Sequence, residues 1–198
     1  MDVVCVSTGA SALHLALSAL GLKEGDEVLV PSLTYVASFQ AISATGAKPV
    51  SCEVDSNTLF IDTDDAKKRV TKNTKAIMPV HYASSSKGMD EVYKLAKEYS
   101  LRVVEDAAQA FGSKRDDKLI GLDGDIICFS FDGIKNITSG EGGAILSSDK
   151  KFIQKVEDGR LLGVEKDTDK RYLDQRSWDF NVNYQGFRYH MSNIMAAI

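Results

Sequence analysis

Nothing in this 198-residue chain approaches the roughly 20 consecutive apolar residues of a membrane span, and Met1-Asp2-Val3 opens without the basic lead of a secretory signal. Basic residues are not in excess either. The 24 Lys and Arg stand against 28 Asp and Glu for a net charge of −4, which leaves no electrostatic footprint for nucleic acid or an anionic membrane. Cysteine is scarce: Cys5, Cys52 and Cys128 are an odd number, far apart, each inside an apolar run of β type. They read as small buried hydrophobes in a reducing compartment and not as a disulfide framework. No Cys/His spacing suits zinc, so no metal site is expected. Neither a P-loop GK[ST] nor a full GxGxxG is present. The cytoplasm is therefore the expected location, without nucleic acid or membrane as partner.

What is present is ordinary for one globular domain with a sizeable core: 43% hydrophobic and 26% charged residues. Apolar β-rich runs at Val3–Val6, Val28–Val30, Pro49–Val54, Ala76–Val80, Leu101–Val104, Ile126–Phe131 and Ala144–Ser147 alternate with helical patterns. The helices are predicted at Ser11–Leu20, Thr34–Ala44, Asp64–Val70, Met89–Tyr99 and Lys150–Leu162. That rhythm predicts a three-layer α/β/α domain with a mostly parallel sheet of about seven strands, covered on both faces. Val3–Ser7 is core-type strand almost from the first residue, and Ile198 falls inside the amphipathic run MSNIMAAI. The chain reads as a fragment of something longer.

In open α/β sheets ligands gather beyond the carboxyl ends of strands, so the turns there carry the functional question. Ser7-Thr8-Gly9-Ala10-Ser11 follows the first strand and feeds the helix ALHLALSAL. Small residues before a helix N-terminus offer free N–H groups to a phosphate, or else only a cap. Tyr35 near the next helix start offers a flat face to an aromatic ring, or simple packing. His81 follows the strand AIMPV and either faces a substrate or closes the edge; His14, among Ala12, Leu13, Leu15 and Leu17, reads as a core or helix-surface histidine. Asp106 in EDAAQ ends the strand LRVV, where a carboxylate suits a pyridinium N–H or merely the start of a helix. Gln109, three residues on, points to the same side and can bond a phenolic oxygen.

The stretch CFSFDGIKNITSGEGG sets Lys135 between an apolar strand and a glycine-rich turn. A lysine there is either a solvated charge or an amine desolvated enough to form a Schiff base with a carbonyl. Asp106 and Lys135 lie 29 residues apart with one strand between them, so both can reach the same rim of one sheet. That layout suits a ring held by its nitrogen at one end and its aldehyde at the other.

The stretches STGASALHLAL, GDEVLVPSLTYVAS, GAKPV, TKAIMPVHY, VVEDAAQAFGS, GDIICFSFDGIKN, GEGGAI and YHMSNIMAAI occur in one order. In that order they resemble the DegT-type nucleotide-sugar aminotransferases, fold type I enzymes dependent on pyridoxal phosphate (PLP). EDAAQA, then SF with a lysine five residues after the serine, then GEGG is a specific combination. The resemblance covers essentially the whole chain. It implies that residues 1–198 form the PLP-binding large domain, without the N-terminal lead-in and the C-terminal small domain.

It also implies roles. Lys135 would carry PLP as a Schiff base and shuttle the proton between substrate and cofactor, and Asp106 would keep the pyridine nitrogen protonated. Gln109 would partner the ring's 3-oxygen. The Ala10 and Ser11 N–H groups and the Ser130 hydroxyl would hold the phosphate, while Tyr35 would stack on the ring. The implied reaction is a transamination in two halves, from an amino donor, usually L-glutamate, to a nucleotide-linked keto-sugar, in a homodimer whose subunits share the active site. Two stretches depart from the family pattern. Thr8-Gly9-Ala10 stands where Asn-Gly-Thr is common, and Arg188 and His190 align with an asparagine, which in relatives reaches the partner's cofactor phosphate, and the arginine two residues after it; Arg188 could still contact that phosphate as a bidentate cation. A non-catalytic PLP-binding homologue and a plain dinucleotide-binding domain remain as alternatives.

Overall fold

The computed structural model describes residues 1–165, 173, 180–182 and 184–198. Among the described residues are nine strands and six α-helices. The strands are β1 (Asp2–Val6), β2 (Glu27–Pro31), β3 (Lys48–Cys52), β4 (Thr74–Ile77), β5 (Arg102–Asp106), β6 (Lys114–Arg115), β7 (Lys118–Leu119), β8 (Ile126–Ser130) and β9 (Gly143–Ser147). The helices are α1 (Gly9–Ala19), α2 (Val36–Ser43), α3 (Thr63–Arg69), α4 (Met89–Tyr99), α5 (Lys150–Gly159) and α6 (Asn193–Ala196). Seven strands form one sheet in the order β1-β9-β8-β5-β4-β2-β3; β6 and β7 make a separate small hairpin. Strands β8, β5, β4, β2 and β3 pair in parallel, and only β9 runs against its two neighbours.

Strand alternation sorts the core into layers. Val28, Val30, Val104, Ile126 and Cys128 face the cluster built on α1, α2 and α5, whereas Leu29, Ile77 and Val103 face α3 and α4. Helix α1 shows why a nearly continuous apolar helix belongs here: Ala12, Leu13, Leu15, Ala16 and Leu17 are all buried between the sheet and its flanking helices. Its start is set by a reciprocal cap, with Thr8 Oγ1 accepting the Ser11 N–H at 3.0 Å and Ser11 Oγ accepting the Thr8 N–H at 2.9 Å. The predicted three-layer arrangement is therefore the observed one, with α2 starting at Val36 and α5 ending at Gly159.

The cysteines divide. Cys52 and Cys128 are buried as expected, and burial pushes the Cys52 thiol up to about 11. Cys5 corrects the expectation, because it is exposed. Strand β1 lies at the sheet edge, and only Val4 and Val6 turn toward the α1 and α5 side; Val3 and Cys5 face the open side. All three thiols are free.

Candidate active site

At the carboxyl edge of the parallel strands a cleft of about 460 Å³ is lined by residues from five separate segments. Its floor is the loop between β1 and α1. The first N–H groups of a helix have no intrahelical partner, and the Thr8 cap takes that of Ser11, which leaves those of Gly9 and Ala10 for a ligand. Ser130, at the end of β8, is 5% exposed and lines the same floor. A side chain at position 9 would place its Cβ 2.6 Å from the Ser130 Cβ, so only glycine lets the helix start sit against that strand end. Ser11 does not line the cleft. Its N–H and hydroxyl close onto Thr8, which narrows the expected backbone contact to Ala10 and its neighbour Gly9.

Asp106 ends β5 and is 6% exposed. Ser38 Oγ donates to Asp106 Oδ2 at 2.7 Å, and the Ala108 N–H donates to Oδ1 at 3.2 Å. Burial pushes the Asp106 carboxyl above the usual carboxylate range; the Ser38 hydroxyl, the Ala108 N–H and the nearby Lys135 and His81 pull it back in part. A buried carboxylate in that balance is suited to a further cationic donor, and a ring N–H is one. Gln109 follows in a turn and lines the cleft, with Oε1 accepting the Ala83 N–H at 2.9 Å. The polarity of that bond leaves the amide NH₂ as the edge that can donate into the cleft.

Lys135 lies in the turn after β8, closed by its own N–H donating to Asp132 O at 3.0 Å, and lines the same cleft. Tyr35 caps the start of α2 and stands at the mouth, 73% exposed. Leu13, Ala37, Val80 and Ala108 supply apolar wall between the polar groups, and Asp132 and Glu141 add acidic rim. Ala10, Tyr35, Asp106, Gln109, Ser130 and Lys135 thus meet in one place, although they come from widely separated parts of the chain.

Other expectations resolve differently. His81 turns away from the cleft, with Nδ1 3.0 Å from the Ser85 carbonyl and Nε2 2.7 Å from Glu105 Oε2. His14 is a packed histidine, against Phe187 and 3.1 Å from the Tyr189 hydroxyl. Arg188 and His190 pair by backbone with Leu161 and Val6 and are not among the cleft residues. Ser38 does not stand out in the sequence. It looks like one more small residue of VASFQAIS, and its only signal is a hydroxyl on a helix face that is otherwise apolar.

The sheet order and the single reversed strand are those of the large domain of fold type I enzymes. The chain belongs to the DegT/DnrJ/EryC1/StrS aminotransferase family, which it matches over residues 1–198. It is 43% identical over 193 residues to GDP-perosamine synthase of Escherichia coli O157:H7, covering 98% of this chain and 50% of that protein. Among solved structures, DesV of S. venezuelae in complex with a ketimine intermediate superposes with a TM-score of 0.87 at 34% identity, covering 98% of this chain and 50% of that one. NtdA of Bacillus subtilis with bound cofactor PMP gives 0.88 at 31% identity, covering 100% and 42%. The chain spans about half the length of these relatives.

Proposed function

We propose that residues 1–198 are the cofactor-binding large domain of a PLP-dependent aminotransferase that transfers an amino group to a nucleotide-linked keto-sugar. The single observation that carries the reading is the convergence of Lys135 and Asp106, from the ends of two adjacent strands, on a cleft floored by a helix N-terminus. The cleft fits the cofactor in each part. Gly9, Ala10 and Ser130 form a cradle for a phosphate, Asp106 is a buried acceptor for a ring N–H, and Gln109 presents a donor where a phenolic oxygen would lie. When bound, PLP supplies an electron sink for the carbon that exchanges its amino group.

The chain's own groups do the rest. Lys135 would hold the cofactor through its aldehyde and, as a free amine, would supply the base that moves a proton at the carbon exchanging its amino group. Asp106 would accept a ring N–H and favour the protonated ring nitrogen. Ser38 holds Asp106, and Tyr35 at the mouth would stack on the ring. Similarity to GDP-perosamine synthase supports a nucleotide-sugar acceptor in polysaccharide, O-antigen or related sugar biosynthesis, with L-glutamate as the donor to try first. Exposed apolar side chains beside the cleft, Tyr35, Val36 and Ile134, support a homodimer in which a second copy completes the site. Among the described residues no helix is long and apolar enough to cross a membrane, and a cytoplasmic location is part of the proposal.

The test is to add PLP and then L-glutamate to the purified protein. A visible band that appears with PLP and gives way to the pyridoxamine form with glutamate is the expected result; a band that never responds to any amino donor would point to a non-catalytic homologue.

A further inference from the structure

Strand β5 ends in two consecutive buried carboxylates that point to opposite layers. Asp106 faces the cleft, while Glu105 is 2% exposed on the α4 side, where Oε1 accepts the Tyr93 hydroxyl at 2.6 Å and Oε2 meets His81. His81 is 1% exposed; Phe60 packs edge-on against its ring, and its Nδ1–H donates to the Ser85 carbonyl while Nε2 shares a proton with Glu105. Two charged-type side chains buried this deeply are costly unless they are paired, and here they are paired with each other. Proton transfer and ring binding in the cleft use neither of them.

What the pair holds is the turn that follows β4. Ala83 and Ser84 both sit in the left-handed region, at φ 49° and φ 66°, which residues with a side chain keep only when their surroundings over-determine it. The turn touches two of the residues assigned to the cofactor ring, Asp106 and Gln109. Val80 pairs with Asp106 in parallel, the His81 N–H donates to the Asp106 carbonyl at 3.0 Å, and the Asp106 N–H donates to the Pro79 carbonyl at 2.9 Å. On its other side the Ala83 N–H holds Gln109 Oε1 at 2.9 Å, and the Ser84 hydroxyl donates to the Gln109 carbonyl.

We propose that the segment from Val80 to Ser85 is a positioning element for the cofactor ring, clamped from behind by the buried His81–Glu105 pair. Its bonds to Asp106 fix the ring-nitrogen end, and its bonds to Gln109 choose which edge of that amide meets the phenolic oxygen. His81 is a positioning residue, acting on a ring it never touches. Tyr93 and the Asp125 N–H that it accepts at 2.8 Å extend the clamp into the next strand connection. The inference rests on the reading of the cleft as a PLP site.

The experiment follows the visible band of the PLP-loaded protein as pH is varied. A donor stabilises the phenolic oxygen as its anion, and a carboxylate keeps the ring nitrogen protonated and electron-withdrawing; both favour loss of the chromophore's proton, so loosening either raises the pH midpoint of the band. The variants are His81→Phe, the pair His81→Phe with Glu105→Leu, and Ser84→Ala, with Gln109→Ala for direction. His81→Phe leaves Glu105 buried without its partner and is expected to lower thermal stability; the pair replacement recovers part of it, since both charges are then gone although the Tyr93 hydroxyl loses its acceptor.

The expected result is that the pair variant folds and melts above His81→Phe yet keeps a midpoint raised by about one pH unit, in the direction of Gln109→Ala. Ser84→Ala leaves the buried pair intact and is expected to move the midpoint less, in the same direction. A pair variant that titrates with the parent, or a Ser84→Ala midpoint unmoved where the pair variant does not fold, would overturn the inference. A parent protein that forms no visible band with PLP would remove the reading of the cleft itself, a failure recognisable before any variant is made.

Discussion

Two clefts of nearly equal volume, about 460 and 470 Å³, open at opposite edges of one sheet, and α1 runs from the first to the second. The first receives the start of α1, with Gly9 and Ala10; the second receives the residues just past its end, Leu20 to Lys23, together with Asp26, Lys75 and Arg102. In the second, Arg102 and Asp26 already have partners. Arg102 makes a two-pronged bond to Asp125 at 2.7 and 2.8 Å, which holds its guanidinium above the usual range, and Asp26 accepts the Lys23 N–H at 3.1 Å. In the first, Lys135, Gln109 and the helix N–H groups face open space, and Asp106 sits at an energetic cost that a cationic partner would relieve. Size does not separate the two clefts; the difference is that only the first gathers a lysine, a buried carboxylate and free helix N–H groups around one space.

The largest expected break in that contrast is Lys135→Ala. Loss of the amine removes covalent attachment and proton transfer together, so the visible band should vanish and transamination should fall by on the order of 10⁴-fold. Absorbance and steady-state rates check both. Gly9→Ala attacks the floor of the same cleft: its Cβ would meet the Ser130 Cβ at 2.6 Å, and overpacking of that kind costs about 1–3 kcal/mol. A weaker PLP affinity, measured by equilibrium titration, should accompany a lower melting temperature.

Asp106→Asn separates function from stability. A carboxyl whose folded pKa is raised binds its proton more tightly folded than unfolded, so its contribution is least unfavourable at low pH and grows worse as pH rises from the ordinary carboxylate value through the folded one. The cofactor-free Asn variant should therefore melt higher than the parent at neutral pH and show no gain below the ordinary carboxylate range, while losing transamination. The Asn oxygen can still accept from Ala108, with the Ser38 hydroxyl reversing toward Thr34, 2.7 Å away. The smallest effect belongs to the other edge. Arg102→Ala breaks a partly solvated pair worth roughly 0.5–1 kcal/mol and should leave the cofactor band untouched.

The layered sheet was legible because strands such as Ile126–Phe131 and helices such as Ser11–Leu20 carry unambiguous periodicity, and because EDAAQ and GIKN fall where strands end. Side-chain partnerships were not legible. That Thr8 would close onto Ser11, that His81 would turn to Glu105, and that Ser38 would reach Asp106 across 68 positions depends on which layer each strand end faces. Cys5 shows the same gap from another side. Its run is as apolar as that of Cys128, yet one strand lies at the edge of the sheet and the other near its middle. The hairpin of β6 and β7 has no apolar signature to reveal it, being built from Lys114-Arg115 and Lys118-Leu119.

The most direct measurement is borohydride reduction of the PLP-loaded protein, with mass analysis of its peptides. If Lys135 and Asp106 grip the two ends of one ring, the pyridoxyl label is expected on the peptide that contains Lys135 and on no other. A label on a different lysine, or a reduced protein that carries none, would contradict the assignment.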